Sequence, residues 1–75
     1  MLTTQIKRHR VLADMSQGEL AERVGVRRET IGHLERGTYN PSLKLAWDIA
    51  KVFGVRIEEL FSFDGFEGSL EREGE

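Results

Sequence analysis

Cysteine is absent from this chain, proline occurs once, and histidine only twice, as His9 and His33. Without thiols there is no disulfide staple, no thiolate nucleophile and no zinc site built on sulfur. Two imidazoles are too few for an all-histidine metal centre, and no motif implies any other cofactor. No apolar run approaches the ~20 residues that cross a bilayer, and no signal-peptide pattern opens the chain. The expectation is a cytoplasmic, soluble protein with no membrane partner. Seventy-five residues provide a single core; a chain this short buries about 60% of its unfolded surface and often gains stability by self-association. What the chain does have is 32% charged and 39% hydrophobic residues, the proportions of a globular domain rather than a disordered one.

The net charge of −2 conceals an asymmetry. Residues 1–57 carry ten Lys and Arg against six acids, a net of +4, while residues 58–75 carry seven acids against Arg72 alone, a net of −6. Electrostatic fields depend on local charge, so the first part can face phosphate although the whole chain is acidic. An acidic solubilising tail on an ordinary domain accounts for the same split.

Helix punctuation is dense, while strand alternation is scarce. A first helix is expected from Thr3 or Thr4 through Asp14, with Ile6, Leu12 and Ala13 inward. In Met15-Ser16-Gln17-Gly18-Glu19-Leu20, Ser16 caps free amides, Glu19 reaches back to the Ser16 amide, and Met15 staples onto Leu20. This second helix turns Leu20, Ala21 and Val24 inward and stops at Gly25. Val26 pairs with Ile31 as a second staple, Ile31 and Leu34 form a narrow stripe, and Gly37 closes a third helix. Only Gly25-Val26-Arg27 separates the two, too short a link for an antiparallel hairpin, so the helices must cross steeply. Asn40-Pro41-Ser42 then turns into a fourth helix, Leu43 to Phe53, with Leu45, Ala46, Ile49, Ala50 and Phe53 at helical spacing and Gly54 as its stop. A fifth short helix spans about Ile57 to Phe61, with Glu58 and Glu59 in the first turn where the dipole favours acids. Phe61-Ser62-Phe63 alternates like a strand, which leaves room for a small sheet with the N-terminal residues. Beyond it, Gly65, Gly68, Gly74 and scattered acids read as a frayed terminus.

Ser16-Gln17-x-Glu19-Leu20-Ala21-x-x-Val24-Gly25-Val26, then Thr30-Ile31-x-x-Leu34-Glu35-x-Gly37, then Tyr39-Asn40-Pro41-Ser42 closely resembles the phage-repressor/Cro-type (xenobiotic-response-element) helix-turn-helix regulators. The likeness runs from about Ile6 to Phe61, and the ending Ile57-Glu58-Glu59-Leu60-Phe61 is similar to a subgroup of small stand-alone regulators. The resemblance implies an all-α, five-helix, lambda-repressor-like DNA-binding domain over residues 1–62, followed by a dimerisation extension and acidic tail over 63–75. It also implies double-stranded DNA as partner and a homodimer; a domain this small leaves no evident effector cavity, so no small-molecule ligand is expected.

With Ile31 and Leu34 inward, the outward face of the third helix holds Arg28, Glu29, Gly32, His33 and Arg36. A major groove about 12 Å wide accepts one such helix. There Arg28 can donate twice to guanine, Glu29 can accept from the cytosine amino group, Thr30 can meet a thymine methyl, and His33 can donate to a purine. In the family, the helix start and the position matching His33 read bases. Phosphate contacts are expected from Gln17, Arg27, Arg36, Tyr39, Asn40 and Lys44. For these positions plain surface, packing or capping roles are the alternative. Arg10 and Glu35 match a family pair that forms an internal salt bridge, and His9 reads as a half-buried ring. Two residues depart from the family pattern. Arg27 stands where the third helix normally has a Ser or Thr cap, a loss of about 1 kcal/mol, and Arg56 replaces the cap of the fifth. Gly32, which costs about 1 kcal/mol against alanine in mid-helix, marks either close approach to DNA or neutral drift.

Val55, Leu60, Phe61, Phe63 and Phe66 crowd the C-terminal region, as a self-association patch or as a lid over the local core; the resemblance favours the patch. A homodimer would set two reading helices about 34 Å apart on a palindromic operator. The leading reading is a transcriptional repressor. An antitoxin or restriction–modification controller that regulates its own operon, and a protein-interaction module without DNA, are the alternatives. An enzyme built on Ser16, Glu19 and His33 is disfavoured, since capping already accounts for the first two.

Overall fold

The computed structural model describes residues 2–63. Five helices and a two-stranded sheet follow in the order β1 (Leu2–Thr4), α1 (Ile6–Leu12), α2 (Gln17–Val24), α3 (Arg28–Arg36), α4 (Leu43–Phe53), α5 (Ile57–Leu60) and β2 (Phe61–Phe63). The architecture is the expected helical one with its short C-terminal strand. Phe66 and the acidic tail lie outside the described residues.

The helix boundaries follow the punctuation closely. Ser16 Oγ accepts the Glu19 amide at 3.0 Å and the Glu19 carboxylate accepts the Ser16 amide at 2.8 Å. The Ser16 amide foremost, and then the Ser16 side chain, hold the Glu19 carboxyl below its ordinary value of 4.5. Gly25, Gly37 and Gly54 end α2, α3 and α4 in the left-handed conformation, which a residue without Cβ adopts freely. Ser42 caps α4, its hydroxyl accepting the Leu45 amide at 3.1 Å; Asn40 does not. At α5 the missing cap at Arg56 is offset from the other side, where Glu59 accepts the Arg56 amide at 2.7 Å.

Ile6, Met15, Leu20, Ala21, Ile31, Leu34, Leu45, Ile49, Ala50 and Leu60 form one continuous core, with Val24, Val26, Phe53 and Ile57 packed against it. The residues of both expected staples meet in this core, with Met15, Leu20 and Ile31 among its members and Val26 packed against it.

The N-terminal segment departs from expectation. Leu2–Thr4 is not the start of a helix but a strand, antiparallel to β2, with Leu2 opposite Phe63 and Thr4 opposite Phe61. Leu2 is 5% exposed, and the Gln5 amide donates to the Leu60 carbonyl at 2.8 Å. Extended backbone thus buries Leu2 and pairs the amides, which a helical turn of Thr-Thr would leave open to water. At the other end α1 stops at Leu12 and Asp14 takes φ +56°. Leu12, the last residue of α1, lies off the face that buries Ile6, and the chain leaves the helix before Ala13 can face inward; Leu12 is 75% exposed and Ala13 is exposed too. Met15, from beyond the turn, fills that side of the core.

β1 also rests on the end of α3. A methyl group on Gly37 would overlap the Leu2 carbonyl oxygen, whereas nothing lies near the same position on Gly54. Both glycines share the left-handed backbone, which costs an alanine about 1–2 kcal/mol. Gly54→Ala should lose about that much in urea unfolding. Gly37→Ala should lose clearly more, with accelerated amide exchange at Leu2–Thr4, and equal losses would show that β1 does not bear on α3.

Candidate nucleic-acid interface

α2 braces α3 through their shared core, and one polar cluster fixes how they dock. The Glu35 carboxylate on α3 accepts from Arg10 Nε at 2.7 Å and from Arg10 NH2 at 3.3 Å. It accepts a third bond from Gln17 Nε2, at the start of α2, at 3.0 Å. Arg10 NH1 donates in addition to the Met15 carbonyl at 2.9 Å. The side chains of Arg10 and Glu35 are only 12% and 7% exposed, so the pair is nearly dry and its lone pairs are filled by hydrogen bonds, the condition under which a buried ion pair is tolerable. His9 is half-buried, its ring centroid 5.7 Å from that of Phe53.

Docked in this way, α3 turns Ile31 and Leu34 into the core and leaves Arg28, Glu29, His33 and Arg36 in solvent, with Thr30 half-buried. Arg27, Arg28 and Glu29 form no side-chain hydrogen bond or ion pair among the described residues. The Arg28 stem runs past Gly18 on α2, its Cδ 3.8 Å from where a Cβ of that glycine would stand. Arg27 precedes the helix in extended conformation and supplies no side-chain cap. The first amides of α3 are therefore free to meet an anion. Arg28, Glu29, Gly32, His33 and Arg36 line, with Gln17, one shallow depression of about 280 Å³. An exposed helix face bearing two arginines, a carboxylate and an imidazole can exchange hydrogen bonds with base edges, and the basic residue and open amides at its start can hold phosphate.

Three expected members of this face sit differently. Gly32 points outward by helical phase but is buried, because the Arg36 guanidinium and the Gln17 amide lie over it, 3.5 Å and 3.9 Å from where its Cβ would be. Arg36 itself bends back to His33 Nδ1, 3.0 Å away. Gln17 has one amide N–H committed to Glu35, which leaves a single N–H for an external acceptor.

The remaining candidates lie elsewhere. Lys44 pairs with Asp48 at 2.8 Å and lines, with Glu22, Arg23 and Lys51, a hollow that shares no residue with the α3 depression. Tyr39 is 46% exposed on the α3–α4 connection, and Asn40 borders an apolar hollow with Leu2, Leu43, Phe61 and Phe63. Ser16 and Glu19 are spent on each other in the α2 cap.

The C-terminal apolar cluster is divided. Leu60 is fully buried in the core and is not available to a partner, because α5 caps the open end of the α4 packing surface. Val55 and Phe61 are half-buried against that core; Phe63 is 45% exposed. Sequence reasoning passed over Leu43 and Trp47, which are 78% and 57% exposed and one turn apart on α4. They join Phe63 around Ile57, which borders the hollows beside both.

The helix-turn-helix family model matches residues 6–60. The chain belongs to the helix-turn-helix family of DNA-binding transcriptional regulators. It is 60% identical over 63 residues to an uncharacterized HTH-type transcriptional regulator of Archaeoglobus fulgidus, covering 84% of this chain and 89% of that one. The transcriptional repressor RstR of the cryptic phage CTXphi, from Vibrio cholerae, is 39% identical over 83% of this chain and 56% of its own length. Among solved structures, the restriction-modification controller protein C.AhdI from Aeromonas hydrophila superposes with a TM-score of 0.68 and 29% identity, over 73% of this chain and 83% of that one. No helix among the described residues of this helix-turn-helix protein is long and apolar enough to cross a membrane.

Arg10→Met leaves the Glu35 carboxylate buried without its main partner, and should cost about 3–5 kcal/mol in chemical denaturation. Adding Glu35→Leu removes the orphaned charge and should recover most of that loss. A double variant no better than the single one would mean that the cluster does not act as a pair.

Proposed function

We propose that this helix-turn-helix protein is a homodimeric repressor that places α3 in the major groove of a palindromic operator. The observation that carries this reading is the face of α3. Arg28 and Glu29 stand in solvent with no partner among the described residues, on a helix whose other side is locked by Ile31, Leu34 and the Glu35 cluster. Groups that are free on a rigidly held helix break no internal bond and order no backbone when they pair with base edges, so the cost is confined to their own rotamers. In this reading Arg28, Glu29, Thr30 and His33 face bases. Arg27 and the α3 and Gln17 amides face phosphate, and the cytoplasm, where the DNA is, is the place of action.

Leu43, Trp47 and Phe63 supply the second half of the reading, with Val55 and Phe61 at their edge. They share no residue with the α3 depression, so a second copy can sit on them without covering the reading helix. Two-fold pairing there is isologous, as closed dimers require.

Duplex selection from random DNA, run with the wild type, Arg28→Ala and Arg27→Ala, tests the DNA half. Arg28→Ala should relax preference at one base pair at a loss of about 1–3 kcal/mol. Arg27→Ala should weaken all duplexes alike and lower the salt slope by about 1. Loss of affinity without change of preference at Arg28 would refute the assignment of base readers. For the dimer, Leu43→Glu puts a charge on the proposed seam at the first turn of α4, where an acid suits the helix dipole. Sedimentation should find the wild type dimeric and this variant monomeric with unchanged circular dichroism. A dimer that persists in the variant would exclude the face.

The likeness to C.AhdI favours a second reading, a controller that regulates its own operon. Selected duplexes that match the promoter of the protein's own gene would support it.

A further inference from the structure

Arg36 and His33 make a contact that bears on what α3 can read. The guanidinium NH2 lies 3.0 Å from His33 Nδ1. A guanidinium has only donors and stays protonated, so the imidazole nitrogen facing it must be the acceptor and cannot carry hydrogen. The ring proton is then on Nε2, which has no partner among the described residues and belongs to an exposed side chain. The backbone under this ring is equally fixed, since the His33 carbonyl accepts the Thr38 amide at 3.1 Å and the Thr38 hydroxyl at 3.2 Å.

Gly32 leaves the surface over which the contact forms uncovered. Arg36 is one turn beyond it, and the guanidinium NH1 sits 3.5 Å from the place where a Cβ would be. A longer side chain there would occupy the guanidinium's seat. The mid-helix glycine thus lets Arg36 fold back onto its own helix instead of reaching outward.

We propose that Arg36 is a positioning residue that sets the tautomer of His33, so that this position of α3 presents a hydrogen-bond donor and selects base edges that accept. Guanine offers N7 and O6, adenine N7 and thymine O4, whereas the amino groups of cytosine and adenine donate and are refused. Arg36, expected from the sequence to hold phosphate, acts here through its neighbour. The preference for accepting edges rests on α3 being the groove helix; the tautomer itself does not.

Long-range proton–nitrogen correlation spectra of the free protein at about pH 9, where an imidazole is uncharged, decide the first part without DNA. His33 should appear as the Nε2–H form alone. Arg36→Met, which removes the donor, and Gly32→Leu, which displaces it, should each restore an Nδ1–H fraction, while Arg36→Lys should not. An Nδ1–H form in the wild type, or spectra unchanged in Arg36→Met and Gly32→Leu, would overturn the assignment. In the second part, the purine facing His33 in the selected duplex is replaced by its 7-deaza analogue. Wild-type affinity should fall about three- to tenfold, the worth of one hydrogen bond, and His33→Ala should be insensitive to the analogue. Unchanged wild-type affinity in that duplex, and also in duplexes lacking guanine O6 or thymine O4 at the same base pair, would overturn base reading by His33. Failure to bind any duplex would instead sink the DNA reading of α3, with the tautomer still decided by the spectra.

Discussion

The Glu35 carboxylate collects donors from two other helices, Arg10 on α1 and Gln17 on α2, and the placement of α3 depends on that convergence. Apolar packing alone would hold α2 and α3 together, but it is non-directional and tolerates small slides of one helix along another. Hydrogen bonds to a nearly buried carboxylate do not, because each is lost over a fraction of an ångström and a half-satisfied charge is expensive. The cluster thereby converts a greasy contact into a defined register. It is the register of α3 against its brace that decides which side chains stand proud of the molecule.

Two working faces follow from this frame, and they are separated by the core rather than mixed. The outward side of α3 is polar, with its side chains either free or turned onto one another. The α4–β2 side carries Leu43, Trp47 and Phe63 in solvent. Between the two runs β1, which pairs with β2 at one edge and abuts Gly37 at the end of α3. A partner seated on Phe63 would therefore bear, through a single pair of strands, on the last turn of α3.

Most helix ends were legible because they are written in local chemistry. Ser16 with Glu19, Ser42, and the three left-handed glycines each act within a few residues, so their meaning survives without knowledge of the fold. β1 was not legible in the same way. Its partner lies about sixty residues on, and Leu2-Thr3-Thr4 is extended only because β2 and the end of α3 are there to receive it. Ala13 continues the inward period of Ile6, but α1 ends one residue before it, and Leu12 lies off that face. For Leu60 the sequence leaves a self-association patch and a lid over the core both open, and only the closure of the core by α5 decides for the second. The outward face of α3 followed from Ile31 and Leu34 by helical phase, yet phase says nothing of side chains folding back, so the cover over Gly32 could not be read. Leu43 and Trp47 had a signal: α4 is apolar around more of its circumference than one buried stripe needs, which marks a helix with two neighbours.

Hydroxyl-radical footprinting of this protein on a selected duplex tests most directly whether α3, repeated by a second copy, is what meets DNA. The account predicts two protected patches on one face of the helix, one turn or about 34 Å apart, with the pattern lost when Arg28 and Arg27 are both replaced by alanine. A single patch, protection spread evenly around the duplex, or a footprint that survives the double replacement would contradict it.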